Sequence, residues 1–552
     1  MSVKELLVTD DLTVLLGLVS VTVFLLQNLY KPQPLVHPIL LGRQSEAGKV
    51  RNPGESTVYR NYGTGLLGRF PVRPDANANL VTDLLKLDSS APRTLWNTKV
   101  TNAIVKDRVD AFGTGLIRAA GLVPKESNVL ILLNDGLEFL VADLALAKHS
   151  IASFTLSSPK LLSQVLESHP PSAIITDSSF LPHVLELIYD SNEHQHHTVI
   201  VTGELTSAVA KSARSARIIA WTEVEAAGSK DKVDTAPPAP SDVFTVSFSE
   251  TASGSLEGIQ FTHENFTAAV AAVRTLFPPS NSLSPLDTIC SAHSLSTPFG
   301  RSIAYTALYE STSFATLSST KLFQIEGAPK LDVADIMSAT KLPIPSPTIA
   351  FLKPEHVKAL SSDISAQAKK SSFLYSVGWR HKLSGLTEGF LTKDSLWDRA
   401  VFDGAREKVA GDFGRTIRQV IVSGGPVPTS DLTPTRIALS VPIVNAHVHP
   451  VSAGPVFSTQ PLDLQMLPAG SSSDPFSGIA HVGAPSVNVQ VKLVGVDDAE
   501  IEAGGDPTGD IHVGGPPVGI PLGLGSEDSE TAWRKTGERG RVLTNGAFKV
   551  LG

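Results

Sequence analysis

The sequence predicts an α/β protein of two doubly wound lobes and a small β-rich subdomain, preceded by one N-terminal transmembrane helix. Three observations predict it. From about residue 100 to about residue 470, short apolar runs alternate with helical stretches, the pattern of parallel strands covered on both faces. Beyond that point the composition turns Gly- and Pro-rich with brief β-type runs, which reads as a small β structure. Between Leu12 and Tyr30 there is no charged residue. The chain has 552 residues, too many for one ordinary core, so several lobes are expected.

The N-terminal run LTVLLGLVSVTVFLLQNLY would form about 28 Å of helix, close to the ~30 Å of a bilayer core. Asp10 and Asp11 precede it, and Lys31, Arg43, Lys49 and Arg51 follow, which by the positive-inside rule puts the body in the cytosol. A signal peptide would need a basic start and a small-residue cleavage site, and an interfacial helix a charged face; the run has none of these. The expected localisation is a single-pass protein of a cytosol-facing membrane, the endoplasmic reticulum first, with lipid droplet or peroxisome as alternatives.

Residues 1–30 are thus read as the anchor and 31–92, rich in Pro, Gly and Asn, as an irregular arm. The first α/β lobe is placed at 93–235. It opens with a helix of about five turns carrying Val100, Ala103, Ile104, Ala111, Gly115 and Ala119 on one face and stopping at Gly121 and Pro124. Strands are expected at 129–133, 151–154, 173–176 and 198–201, with helices at 137–148, 160–167 and 181–188 between them. A linker is read at 228–240, where Gly, Ser, Lys, Asp and three prolines collect. The second lobe is placed at 241–470, starting with a strand at 243–248, and the β-rich subdomain at 471–552, with runs at 487–494 and 511–513. No repeat at a solenoid period is present.

Net charge is -8 with a pI near 6.0, which leaves no electrostatic footprint for nucleic acid. The single cysteine, Cys290, closes no intrachain disulfide and builds no thiolate metal site; it reads as a small buried hydrophobe. The segment with most chemical content is SFSETASGSLEGIQFTHEN, Ser247 to Asn265. It reads as a strand end, a loop of small hydroxylic residues and a helix start at Thr262-His263. Small residues let backbone N–H groups approach phosphate oxygens, and hydroxyls add donors. Without a Gly-Lys-Ser/Thr ending it is not a Walker loop, and such turns are more often only turns.

The order of landmarks is similar to that of the adenylate-forming superfamily and, within it, the long-chain acyl-CoA synthetases. His37-Pro38, Arg51 to Glu55 and Tyr59-Arg60 resemble the family's entry segment, and Leu95-Trp96 its domain start. Ser395 to Asp398 with Phe402, then Ser423-Gly424-Gly425-Pro426, resemble the stretch leading to the adenine pocket. Val491-Lys492-Leu493, Gly509-Asp510-Ile511, Trp533 and Thr536-Gly537-Glu538 follow in the family's order. The resemblance implies ATP or AMP and Mg²⁺ as cofactors of any residual activity, and fatty acid or acyl-CoA as ligand. It implies nucleotide contacts at Ser249, Thr251, Ser253, Gly254, Gly258, Thr262, His447 and Glu538.

Three departures from the family's pattern accompany the resemblance. Its phosphate-loop lysine is Glu257 here, which turns an attraction for triphosphate into a repulsion of ~4 kcal/mol at 4 Å and a dielectric near 20; Thr251 also replaces a glycine. In VNAHVHPVSAG, Val444 to Gly454, the adenine-stacking tyrosine falls on His447, the threonine on Pro450 and the magnesium-binding glutamate on Val451, which has no oxygen donor. Glu538 stands where the family's aspartate holds the ribose. The sequence stops at Gly552, at the family's hinge, so the resemblance implies that the mobile C-terminal domain with its adenylation lysine is absent. No catalytic residue and no metal ligand is assigned. His447 and His449 form a His-x-His without a third ligand, His194, His196 and His197 read as solvated surface, and His293 as a packed core histidine. The expected function is an impaired synthetase homologue that binds acyl chains or a partner, such as an active acyl-CoA synthetase. The alternatives are an active long-chain fatty acid ligase, a gene model that ends too early, or a scaffold without a ligand pocket.

Overall fold

The computed structural model describes residues 11–29, 34–67, 69–87, 91–190, 198–204, 216–230, 233, 235–251, 253–324, 329–465, 474–523 and 533–551. Three sheets organise them. The first has eight strands, in spatial order Ile520–Pro521, Leu256–Thr262, Val243–Glu250, Ala152–Leu156, Asn128–Leu132, Ala173–Asp177, Thr198–Thr202 and Arg217–Ala220. Every neighbour pair is parallel except the two at the Leu256–Thr262 end. The residues of Asn128–Leu132 after its first are all buried, because helices cover both faces and the strand needs apolar side chains on both.

The second sheet runs Ala484–Pro485, Phe457–Ser458, Ile443–His447, Gln419–Val422, Ile349–Leu352, Thr288–Ser291, Ser313–Thr316, Arg93–Leu95 and Thr98–Val100. Its middle is parallel, and the chain order reverses at Thr288–Ser291, which lies between Ile349–Leu352 and Ser313–Thr316. In such a sheet the crevice at the carboxyl ends of strands flanking the reversal is the natural ligand position. The third sheet is antiparallel: Ser45–Ala47, Tyr59–Asn61, Gln490–Val494, Thr508–Gly514, Arg534–Val542 and Phe548–Leu551. The segment read as an irregular arm therefore supplies two of its strands. The sheets also cross the expected boundaries at 235 and 241, since Arg93–Val100 joins the second sheet and Val243–Thr262 the first.

The N-terminal helix exists, as Asp11–Leu29, yet among the described residues no helix is long and apolar enough to cross a membrane. This corrects the expected transmembrane helix and with it the single-pass localisation and its orientation. The physical reason lies in the length of the apolar run. It extends only from Leu12 to Leu26 before Gln27-Asn28, roughly 22 Å of helix against a core of ~30 Å.

Two further expectations change. The helix Asn102–Arg118, capped by Thr101 through the Ile104 N–H, buries Val105, Val109, Phe112 and Leu116, while Ala103 and Ile104 are exposed. Its packing face is set by the neighbouring helix Trp221–Lys230. A Cβ on Gly228 would lie 1.8 Å from the Ala111 carbonyl oxygen, and one on Gly115 would lie 1.9 Å from that of Val224. Gly228, read as linker, is thus a helix-crossing glycine. Cys290 is fully buried, and burial pushes its thiol up to about 12. His194, His196 and His197 lie outside the described residues.

Candidate nucleotide and acyl site

The expected strand, loop and helix around Ser247 is instead a β-hairpin that runs on into a helix. Ser249 pairs with Glu257 and Phe248 with Gly258 across Val243–Glu250 and Leu256–Thr262. At the turn, Thr251 N–H donates to the Ser255 carbonyl and Gly254 N–H to that of Thr251, both at 2.9 Å. Gly254 sits at φ +80°, a conformation open mainly to glycine. The hydroxyls of Thr251, Ser253 and Ser255 bond one another at 2.6–3.2 Å. Donors that a phosphate would need are thus engaged inside the turn.

The remaining loop residues are spread out. Ser249 is buried in its strand and Gly258 is pressed between Phe248 and Leu522, within 2.8 Å of a built Cβ. Thr262 caps the helix His263–Arg274, accepting from Asn265 N–H at 3.3 Å. It lies six strand residues, roughly 20 Å, from the turn. The structure brings Thr251, Ser253 and Gly254 together and leaves Thr262 outside the group. Glu257 is half-buried, and desolvation pushes its carboxyl up.

The other half of the site closes on itself. His447 ends the strand Ile443–His447, and its Nε2 meets Glu538 Oε2 at 2.8 Å. Glu538 reaches it from a bulge in Arg534–Val542, where Gly537 adopts φ +79° and the register against Thr508–Gly514 shifts; bulges re-aim side chains in this way. Burial raises the Glu538 carboxyl, but the hydrogen bond from His447 and the nearby His447 and His449 outweigh it, so the net shift is downward. His449 accepts from Val451 N–H at 3.2 Å, and burial holds its own pKa below the ordinary value.

Val451 is 2% exposed within the main core. Its carbonyl accepts from Gly519 N–H at 2.8 Å, and Ala453 N–H donates to Pro517 at 2.9 Å. The same strap continues to Ile520–Pro521, which pairs with Ile259 and Gln260, and Leu522 N–H bonds Gly258. The strap thus fastens the His447 segment to the hairpin. With an isopropyl group here and its carbonyl engaged, the position does not fit Mg²⁺, a cation that takes oxygen donors. Among the described residues no group of three His, Cys, Asp or Glu side chains could hold a metal.

At the reversal crevice of the second sheet, His293 Nε2 contacts Ser423 Oγ at 2.8 Å, and the ring packs edge-on against Phe299. Burial, aided by Lys353 and His356, pushes His293 down to about 3, so it is neutral. Asp135, from the turn after Asn128–Leu132, accepts from Ser294 Oγ and Leu295 N–H at 2.9 Å. It ties the first sheet to this crevice. Sequence reasoning missed a buried network behind the hairpin. Arg301 contacts Asp143 at 3.4 Å and donates to Thr245, Thr155 and Ser247, while Tyr305 donates to Asp143. The available signal was a charge inside each of two mostly apolar helices: Asp143 in Leu137–Lys148, whose other charges Glu138 and Lys148 sit at its ends, and Arg301 in Pro298–Glu310, whose other charge is the terminal Glu310.

The two parallel sheets with facing carboxyl edges and the β-rich tail make up an adenylate-forming α/β fold. Residues 90–520 match the family of AMP-binding enzymes, and the chain belongs to that family. It is 24% identical over 458 residues to long-chain-fatty-acid–CoA ligase 5 of Mus musculus, covering 81% of this chain and 63% of that protein. Against long-chain-fatty-acid–CoA ligase 1 of Homo sapiens it is 25% identical over 324 residues, 57% of this chain and 42% of that one. The chain therefore spans less than two thirds of the length of these relatives. In fold it aligns with a long-chain-fatty-acid-CoA ligase from Archaeoglobus fulgidus at TM-score 0.59 and 13% identity, over 87% of this chain and 85% of that one.

Proposed function

We propose that this protein is an acyl-CoA synthetase-like protein of impaired adenylation capacity, which acts by binding fatty acid or acyl-CoA, alone or beside an active synthetase. The observation that carries the reading is the 2.8 Å contact between His447 and Glu538. By the family resemblance these positions serve adenine and ribose, and here each satisfies the other. A nucleotide must break a hydrogen bond to a charged group to enter, at a cost of roughly 1.5–3 kcal/mol. Val451 and Glu257 add to this by withholding a magnesium ligand and opposing phosphate charge. The test is ATP–pyrophosphate exchange with palmitate as acceptor. Exchange indistinguishable from a no-enzyme control is expected, together with a raised unfolding temperature in palmitate, since a ligand selective for the folded state stabilises it. Steady exchange dependent on palmitate would sink the proposal.

A second reading, an active ligase, draws on Glu538, which keeps a carboxylate at the ribose position. Under it, Val451→Glu with Glu257→Lys would leave MgATP affinity unchanged. Impairment instead predicts a clear gain on that double substitution, read by calorimetric titration.

A further inference from the structure

The helix Pro354–Ser371 buries Val357, Leu360, Ile364 and Ala368 against the second sheet. Its opposite stripe, Lys358 through Lys369, lines a cleft of about 700 Å³. Eleven residues separate the two lysines, three helical turns, so they share a face with roughly 16 Å between them along the axis. The helix Tyr375–Thr387 forms one wall with Tyr375, Trp379 and Arg380, and Thr429–Leu439 forms the other with Asp431. Five serine and threonine side chains lie between the charges.

Three features of this cleft select a ligand. Lys358, Lys369 and Arg380 make no ion pair with any described residue, and the cleft holds one carboxylate, Asp431, against these three cations. It is a positive recess in a chain of net charge -8, so the sign is local and not a property of the whole surface. Tyr375 and Trp379 lie one helical turn apart with ring centroids at 5.8 Å, and the Lys369 ammonium stands 5.5 Å from the Tyr375 centroid. Cations meet phosphate oxygens, hydroxyls add donors, and paired aromatic rings offer a face to a planar base. The volume falls within the range of small-molecule sites.

We propose that this cleft is a second ligand site, distinct from the His447–Glu538 pair, and that it takes a nucleoside phosphate. It is independent of whether the chain adenylates fatty acids, because none of its residues belongs to the hairpin or the His447 segment.

The experiment is calorimetric titration of the full chain with ADP and, separately, with inorganic pyrophosphate, which carries phosphate charge without a ring. ADP is expected to bind about tenfold or more tightly than pyrophosphate, the difference being base stacking. Lys369→Glu with Arg380→Glu, two exposed positions, is expected to lower ADP affinity by about tenfold or more, two charge-assisted contacts being lost, with the urea midpoint unchanged. His447→Ala is expected not to weaken ADP binding, and Lys369→Glu with Arg380→Glu is expected to lower ADP affinity in that background too. Equal affinity for ADP and pyrophosphate, or ADP binding untouched by the charge reversals, overturns the proposal. Loss of ADP binding in His447→Ala overturns it too and places the nucleotide at the family position. Failure of the adenylation reading would appear separately, as pyrophosphate exchange.

Discussion

Replacing Asp143 by leucine should destabilise the protein more than any surface substitution, because its carboxylate is the counter-charge of a guanidinium sealed inside the fold. Both side chains have no exposed area. Arg301 keeps hydroxyl partners at Thr245, Thr155 and Ser247, at 2.8, 3.2 and 2.6 Å, but these are neutral and cannot replace a charge. Ser153, whose hydroxyl donates to Asp143 at 2.8 Å, can still bond Thr245 at 2.9 Å, whereas Tyr305 loses its acceptor. An uncompensated buried charge costs about 3–5 kcal/mol, a large part of the ~5–15 kcal/mol that stabilises a domain. The double substitution Asp143→Leu with Arg301→Met removes both charges and should recover most of the loss. Urea unfolding followed by far-ultraviolet circular dichroism gives the stability. Amide hydrogen exchange in Val243–Glu250 reports whether the strand bearing the hairpin loosens. A loss below ~1 kcal/mol in the single variant, the range of exposed pairs, would refute the argument. So would a double variant less stable than the single one.

The same structure carries three further expectations. His263 is stacked on Phe244 at 5.0 Å, and burial pushes it down to about 4 from 6.5. Its contribution is therefore complete above pH 6.5 and is lost as pH falls toward 4, roughly 3 kcal/mol in all; the urea midpoint should fall across that window, and less steeply in His263→Phe. Gly228→Ala should separate the helices Asn102–Arg118 and Trp221–Lys230 and cost ~1–3 kcal/mol, whereas a linker glycine would tolerate alanine without a shift in denaturation midpoint. Thr262→Ala removes the cap of His263–Arg274 and should cost ~1 kcal/mol in urea unfolding, with MgATP affinity unchanged; a nucleotide-binding role for Thr262 would show as a change in MgATP affinity at unchanged stability.

What was readable from the chain depended on whether burial is periodic. Strands such as Asn128–Leu132 and Thr198–Thr202 carry uninterrupted apolar runs, at 129–132 and 199–201, and could be placed from local pattern alone. Ser45–Ala47 and Tyr59–Asn61 are three residues each and gain their strand character only by pairing with each other and, through Tyr59–Asn61, with Gln490–Val494 in the third sheet. The buried face of Asn102–Arg118 holds Gly115, as expected, but also Gly113 and Thr114, because two helices, Leu137–Lys148 and Trp221–Lys230, pack against it. An apolar pattern does not record a contact made by the absence of a side chain.

The sequence by itself determined the α/β class, the family, and the residue types at the nucleotide positions, including the carboxylate at Glu257 and the valine at Val451. These are local properties, carried by composition, periodicity and motif order. Only the tertiary structure decided that the hydroxyls of Thr251, Ser253 and Ser255 engage one another, and that Arg301 is neutralised by Asp143. It also decided that His447 closes on Glu538, 91 residues away in the chain. Such contacts follow from strand register, a bulge at Gly537 and the strap at 517–522. None of these is set by the residues that meet there.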